Sequence, residues 1–258
     1  MIKLSYELPF ELDLPVDNPW DGRRSVSLLI HAKAPPIGDA VVDELRSNLA
    51  LFAALADAGG LSGTAAPPWK AAFKEPELTV NEGAVNIRFA PSELDEKATA
   101  SLVCLLLVVH ESAPLGWVTL SASGSKKERA QSNPKLSNPY PGLWPELPFR
   151  HAIVESESET RILRAQFAKT LDPDEVKAIE IDLRRWGGAA AAGAFAIAPY
   201  SPRDGGCLPV DAVEHYEGEL IWPIEKCRFD HRAALTSLVS VCAAIHHRAA
   251  RIIDVVVD

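Results

Sequence analysis

The tetrapeptide Glu7-Leu8-Pro9-Phe10 occurs a second time in this sequence, as Glu146-Leu147-Pro148-Phe149. Other short matches follow in the same order: Ala32-Lys33 with Ala168-Lys169, Glu82-Gly83 with Glu217-Gly218, Ser101-Leu102-Val103 with Ser237-Leu238-Val239, and His110 with His246. The offset between matched residues stays between 135 and 139. Any one match can arise by chance, but a collinear series at a nearly constant offset predicts an internally duplicated chain.

The hydrophobic pattern around these matches gives both copies the same order of elements. Helical spacing of apolar residues predicts helices at 37–57 and 174–186, and two almost wholly apolar segments predict buried helices at 92–111 and 231–248. Gly59-Gly60 and Gly187-Gly188 are expected to end the first helix of each copy. Alternating or β-branched runs predict strands at 11–14, 25–33, 78–90, 117–121, 151–155, 162–168, 217–228 and 252–257.

Each copy therefore has the order β-β-α-β(β)-α-β. Without its first strand this order resembles the split-βαβ, ferredoxin-like arrangement. We expect an α+β protein with antiparallel sheets that carry their helices on one face. The expected division is a first α+β repeat at 1–121, a proline-rich linker at 122–145 and a second repeat at 146–258. One continuous sheet across both repeats is the alternative.

Composition limits the classes of function. The chain has 258 residues, of which 47% are hydrophobic and 24% charged, and its formal net charge is −9. This acidity argues against nucleic-acid binding and favours a basic partner. None of the four cysteines (Cys104, Cys207, Cys227 and Cys242) forms a CxxC pair, which indicates a reducing compartment without a metal cluster. With neither a signal-peptide pattern nor a membrane-spanning run, we expect a cytoplasmic protein. We also expect it to need no cofactor.

Histidines are the main candidates for chemistry, because the sequence contains no nucleophile-elbow, dinucleotide or P-loop motif. His110 and His246 stand at equivalent places near the ends of the two apolar helices. A structural interpretation makes each a cation at a helix C-terminus. In the catalytic alternative, His110, His246 or His151 acts as acid or base on a small molecule in a cleft between the repeats.

Acidic residues lead to a second hypothesis. Glutamates alternate with serines at 155–159, which places their side chains on one face of an extended segment that could receive a basic partner. Our leading hypothesis is a non-catalytic inhibitor or immunity protein that neutralises a basic toxin or nuclease. A scaffold subunit of a larger assembly is a further alternative, and the sequence leaves the oligomeric state open. The predicted partner-binding residues are Glu155, Glu157, Glu159, Asp172, Trp144 and Tyr140.

Overall fold

The structure is a computed structural model that describes residues 5–6, 9–13, 26–33, 36–61, 77–81, 83–89, 96–122, 136–137, 147–154, 158–195, 208–209, 213–225 and 231–258. The helices in these residues are α1 (Asp39–Asp57), α2 (Glu96–Ser112), α3 (Pro173–Ala191) and α4 (His231–Arg248). The strands are β1 (Ser5–Tyr6), β2 (Glu11–Asp13), β3 (Val26–Ala32), β4 (Glu77–Asn81), β5 (Ala84–Phe89), β6 (Leu115–Ala122), β7 (Leu136–Ser137), β8 (Arg150–Ile153), β9 (Arg161–Phe167), β10 (Leu208–Pro209), β11 (Glu214–Tyr216), β12 (Glu219–Glu225) and β13 (Ile252–Val257).

The chain divides into two compact units. The first unit comprises Met1–Ala53 and Lys70–Pro139, and the second comprises Ala54–Trp69 and Tyr140–Asp258. The strands of the first unit form a five-stranded sheet of order β2-β6-β3-β5-β4 and a two-stranded pair, β1 with β7. In the five-stranded sheet β2 runs parallel to β6, and the other neighbouring strands are antiparallel.

The sheet of the second unit has a matching order. Its strands follow the order β10-β12-β9-β13-β8, and β11 also pairs with β12. Here β8 runs parallel to β13, while β9 is antiparallel to both β13 and β12. The prediction of an α+β protein is confirmed, but the prediction of purely antiparallel sheets is wrong. In each unit the strand after the Glu-Leu-Pro-Phe segment joins the sheet beside the last strand and runs in the same direction.

A glycine in the left-handed region follows α1 and α3. Gly59 has φ 86° and Gly193 has φ 89°, values that L-residues with side chains rarely adopt. The N–H of Gly59 donates to the Ala56 carbonyl at 2.9 Å, and that of Gly193 donates to the Ala190 carbonyl at 3.1 Å. With the next residue bonded back to the helix in both cases, each end forms a Schellman motif.

The prediction that Gly187-Gly188 ends the helix of the second copy is therefore wrong, because α3 continues to Ala191. The residues around the glycine pair are buried: Trp186, Ala189 and Ala190 are fully inaccessible. Two glycines inside a helix cost about 2 kcal/mol relative to alanine. Burying a large aromatic side chain and the alanines after it offsets that cost. The glycine pair is accommodated because the helix face that contains it is in the core.

Helix packing buries one face of each sheet. In β9, Leu163, Ala165 and Phe167 are buried, and the residues between them are half-buried or exposed. Trp186 of α3 meets Trp222 of β12 edge to face, with ring centroids 5.9 Å apart. This pair places α3 on the buried face of the second sheet, so the opposite face is its open face. No helix of the described ranges is both long and apolar enough to cross a membrane.

The hairpin between β11 and β12 has an unfavourable residue at its turn. Glu217 and Gly218 connect the strands with φ 46° and φ 84°. Positive φ at both central residues is the geometry of a type I′ turn, which favours Asn-Gly and suits glutamate poorly. A Cβ on Gly218 would lie 2.9 Å from the Lys169 carbonyl oxygen, so only the first turn position can be changed safely.

We predict that Glu217→Asn increases the free energy of unfolding by about 1 kcal/mol, because asparagine adopts the left-handed conformation at lower cost. Urea denaturation measures the change. Glu214→Asn is the matched control, since Glu214 has the same charge and exposure but an extended backbone in β11, and it should give no gain. If both variants raised the free energy of unfolding equally, the gain would come from reduced charge repulsion and not from reduced backbone strain.

Candidate functional site

His110 closes the turn from α2 into β6. Its Nδ1 accepts a hydrogen bond from the backbone N–H of Leu115, the first residue of β6, at 3.0 Å. Phe10, from the Glu-Leu-Pro-Phe segment, packs against the imidazole with ring centroids 5.7 Å apart and an interplanar angle of 41°. We call this arrangement of histidine, phenylalanine and strand N–H a histidine corner.

His246 forms a histidine corner of nearly the same geometry in the second unit. Its Nδ1 accepts a hydrogen bond from the N–H of Ile252, the first residue of β13, at 3.1 Å. Phe149 packs against the ring with centroids 5.8 Å apart and an interplanar angle of 40°. The Phe and His residues that match between the two halves of the sequence are thus in contact in each unit.

The electrostatics of both corners favour a neutral ring. Burial lowers the pKa of His110, and the nearby Lys33 lowers it further. Burial also lowers the pKa of His246, the adjacent His247 adds to that effect, and a backbone hydrogen bond with Ile252 opposes it. Nδ1 of His110 accepts from a backbone N–H and so lacks a proton, which places the proton of the neutral ring on Nε2. Nδ1 of His246 lies 3.1 Å from both the N and the O of Ile252, so one neutral tautomer accepts from the N–H and the other donates to the carbonyl. We conclude that each histidine stabilises the helix-to-strand turn as a neutral ring, in contrast to the cationic role that the sequence indicated.

These lowered pKa values predict a pH dependence of stability. The unfolded histidines titrate near 6.5, so below about pH 6.5 the unfolded chain binds more protons than the folded chain. The free energy of unfolding therefore falls as the pH decreases from 7.5 to 5.5. In the double variant His110→Gln/His246→Gln an amide oxygen can accept the same bond, and the free energy of unfolding should change less with pH over this range. Urea titrations at each pH measure both slopes, and equal slopes would exclude these two groups.

The other predicted site residues lie in different places. His151 is exposed on β8. Glu159 is also exposed, just before β9. Asp172 is the N-cap of α3, where its Oδ1 accepts from the N–H groups of Asp174 and Glu175 at 3.0 and 2.9 Å. The structure gives Asp172 a capping role, and its exposure also leaves it open to a partner. Four predicted residues lie outside the described part of the chain: Glu155, Glu157, Tyr140 and Trp144.

A buried carboxylate in the second unit joins two helices. Asp182 of α3 is 8% exposed and binds Arg248 of α4, with Oδ2 2.9 Å from Nη2. Its Oδ1 lies 3.2 Å from Nη1 of Arg185. Arg248 also donates through Nη1 to the Asp57 carbonyl at 2.6 Å. Burial raises the pKa of Asp182, and the two guanidinium groups oppose that effect. No local sequence pattern marks this cluster, since Asp57, Asp182 and Arg248 are far apart in the chain.

We predict that Asp182→Ala lowers the free energy of unfolding by about 2 kcal/mol, because both arginines lose a charged hydrogen-bond partner whose side chain is only 12% exposed. The matched control is Glu180→Ala, which removes an exposed pair with Arg184 of 3.7 Å and should cost less than about 0.5 kcal/mol. Chemical denaturation of both variants makes the comparison. Similar losses would mean that Asp182 is screened like a surface residue.

The open face of the second sheet contains the most exposed aromatic side chain in the described residues. Tyr216 of β11 is 73% exposed, and it pairs in register with Glu219. Glu214 pairs with Ile221 on the same face, and Glu217 occupies the turn between the strands. We call Glu214–Glu219 the acidic hairpin. The predicted strand over 217–228 is wrong at its start, because Glu217 and Gly218 form the turn and β12 begins at Glu219. No strand was predicted before residue 217, since β11 is only three residues long.

Beside the acidic hairpin the open face is partly apolar. Strand alternation places every second residue of β9, β12 and β13 on this face. Their half-exposed apolar members form a strip beside the hairpin, and they are Ile162, Ile221, Pro223 and Val256. Arg164 of β9 lies between two of these residues, since it pairs with Ile221 and with Val256, and its Nε lies 3.7 Å from Oδ2 of Asp258. A tyrosine, apolar side chains and charged groups together resemble the composition of a protein-binding surface.

Metal and thiol chemistry have little basis in the described residues. Three or more His, Cys, Asp or Glu side chains do not come together there in a group that could hold a metal ion. Cys104 and Cys242 are buried and free of disulfides. Burial raises the pKa of the Cys242 thiol to about 12, so this thiol stays protonated and unreactive at neutral pH.

No model of a known protein family matches the chain, and no curated protein does either.

Proposed function

We propose that this chain is a non-catalytic, intracellular protein that acts by binding a basic protein partner. The acidic hairpin is the observation that carries the proposal. Tyrosine is a frequent energetic centre of protein interfaces, since it adds a large contact area with little loss of side-chain entropy. Tyr216 is 73% exposed, which leaves most of that area available to a partner.

Charge supports a basic partner. The formal net charge of the chain is −9, and the acidic hairpin contributes Glu214, Glu217 and Glu219 within six residues. A cluster of carboxylates speeds the encounter with a positively charged protein and disfavours acidic competitors. A toxin or nuclease with a basic nucleic-acid-binding surface has the required charge. An inhibitor or immunity protein is therefore the specific form of the function that we propose.

We further propose that the two units descend from one duplicated split-βαβ unit of the ferredoxin-like type. In the first unit β6, β3, β5 and β4 are neighbours in that order, as β13, β9, β12 and β11 are in the second. The duplicated Schellman ends and histidine corners support the same conclusion. Duplication would allow one copy to diverge for binding while the other kept the same framework.

The acid/base enzyme has less support than a binding function. Nδ1 of His110 and Nδ1 of His246 are each hydrogen-bonded to the backbone of the first residue of the next strand, which leaves only Nε2 of each ring for chemistry. The same bonds explain why both histidines are present without invoking a substrate.

We expect the double variant Tyr216→Ala/Glu219→Lys to lose the partner that the native chain captures. Tagged native chain would be mixed with lysate of its source cells at low and moderate salt, and bound proteins identified by mass spectrometry. Binding should weaken as salt increases, and the double variant should reduce affinity by roughly 100-fold or more, the effect of losing about 3 kcal/mol. The purified partner would then be used to measure dissociation constants.

Glu180→Lys is the matched control for this experiment. Glu180 lies on α3, which covers the opposite side of the same sheet, and its variant adds the same charge as Glu219→Lys. It should leave the dissociation constant nearly unchanged. If both variants weakened binding equally, the interaction would depend on net charge alone and the acidic hairpin would not be the binding surface.

A further inference from the structure

We propose that a cavity in the first unit binds a small carboxylic acid with an apolar tail. The cavity has a volume of about 390 Å³ and lies between the start of α1 and the turn from α2 into β6. Its volume falls in the usual range of small-molecule pockets. It is separate from the acidic hairpin, which belongs to the second unit, so this inference does not depend on the proposed partner.

The cavity wall selects an apolar ligand. Among the residues that line it are Ile30, Leu45 and Leu115, which are fully or almost fully buried, and Ile37 and Val41, which are half-buried. Aliphatic side chains offer no hydrogen bonds to water inside the cavity. An apolar tail that displaces this water gains the free energy of burying hydrophobic surface. The wall therefore favours a hydrocarbon chain over a sugar or a phosphate.

A single cation at the cavity selects a carboxylate head group. Lys33 lines the cavity and is exposed, and no carboxylate of the described residues forms an ion pair with it. By strand register Lys33 matches Ala168, and the residue after it, Lys169, forms an ion pair in which its Nζ lies 2.8 Å from Oε1 of Glu175. In the second unit a carboxylate at the start of α3 thus binds a nearby cation, and the described residues contain no such ion pair for Lys33.

The start of α1 lacks the carboxylates that the start of α3 presents. α1 and α3 each have 19 residues and the same C-terminal motif, so Gly38 occupies the place of Asp172 and Val41 the place of Glu175. In α3 these two acids form a capping box, whereas in α1 both carboxylates are missing. A ligand carboxylate at this place would supply the negative charge that the second unit provides by itself. Asp39, in the first turn of α1, is the opposing charge.

Octanoate and 1-octanol are suitable probes, because they share an apolar tail and differ in charge. Isothermal titration calorimetry on the full chain should detect octanoate binding. Lys33→Met, which keeps the aliphatic length, should weaken octanoate about tenfold and leave 1-octanol unchanged. Asp39→Asn should tighten octanoate binding, because it removes the opposing charge. Lys169→Met is the matched control, and it should change neither affinity.

A second variant guards against effects of misfolding. Gly38→Asp/Val41→Glu transfers the capping box of the second unit to the first, so we expect it to raise the melting temperature. The same variant gives Lys33 an internal carboxylate, and octanoate affinity should fall at least about tenfold. The proposal is overturned if octanoate does not bind the native chain, or if it binds as well to this variant and to Lys33→Met as to the native chain.

Discussion

The hydrogen bond from a strand N–H to a helix-end histidine sets the geometry of both units. It fixes where the buried helix stops and where the following strand begins, at Leu115 in one unit and at Ile252 in the other. These strands, β6 and β13, each lie between a parallel and an antiparallel neighbour. Because the side-chain period of a strand is two, a start shifted by one residue would turn its buried face toward solvent.

The phenylalanine of each histidine corner couples the first strand of the unit to the same turn. Phe10 immediately precedes β2, and Phe149 immediately precedes β8. Since each ring packs on its histidine, the strand that follows is delivered beside the last strand of its sheet. This contact accounts for the parallel edge pair, which strand order alone did not predict. An edge strand of three or four residues gains little from its own ladder, so an anchoring side chain at its start adds stability and specificity.

Much of the framework could be predicted from local patterns, and the errors have separate physical causes. The predicted bounds of α4 and β13 match the structure. The residue types make these bounds clear, because the apolar helix ends at cationic residues and a β-branched run follows. The prediction that Gly187-Gly188 ends a helix was wrong. Glycine often ends helices because its backbone is flexible, but here the burial of Trp186 in the core outweighs that tendency. The Ala32-Lys33 match was one residue out of register: the strand ladders place Ala32 opposite Phe167, since both N–H groups donate to the glycine of the neighbouring hairpin.

The candidate sites were harder to foresee, because they depend on exposure and on differences between the copies. Periodicity identifies residues that face a core, but Tyr216 and Lys33 matter because their side chains are exposed. In the first unit the start of α1 lacks the two acids that form the capping box of α3, and an apolar cavity adjoins it. In the second unit that region is satisfied internally, and the exposed tyrosine and glutamates lie on the opposite side of the sheet. The same framework can therefore present two different surfaces. The acidic hairpin contains no residue of a histidine corner, whereas the cavity adjoins the corner of the first unit, since Leu115 lines it and Lys33 lowers the pKa of His110.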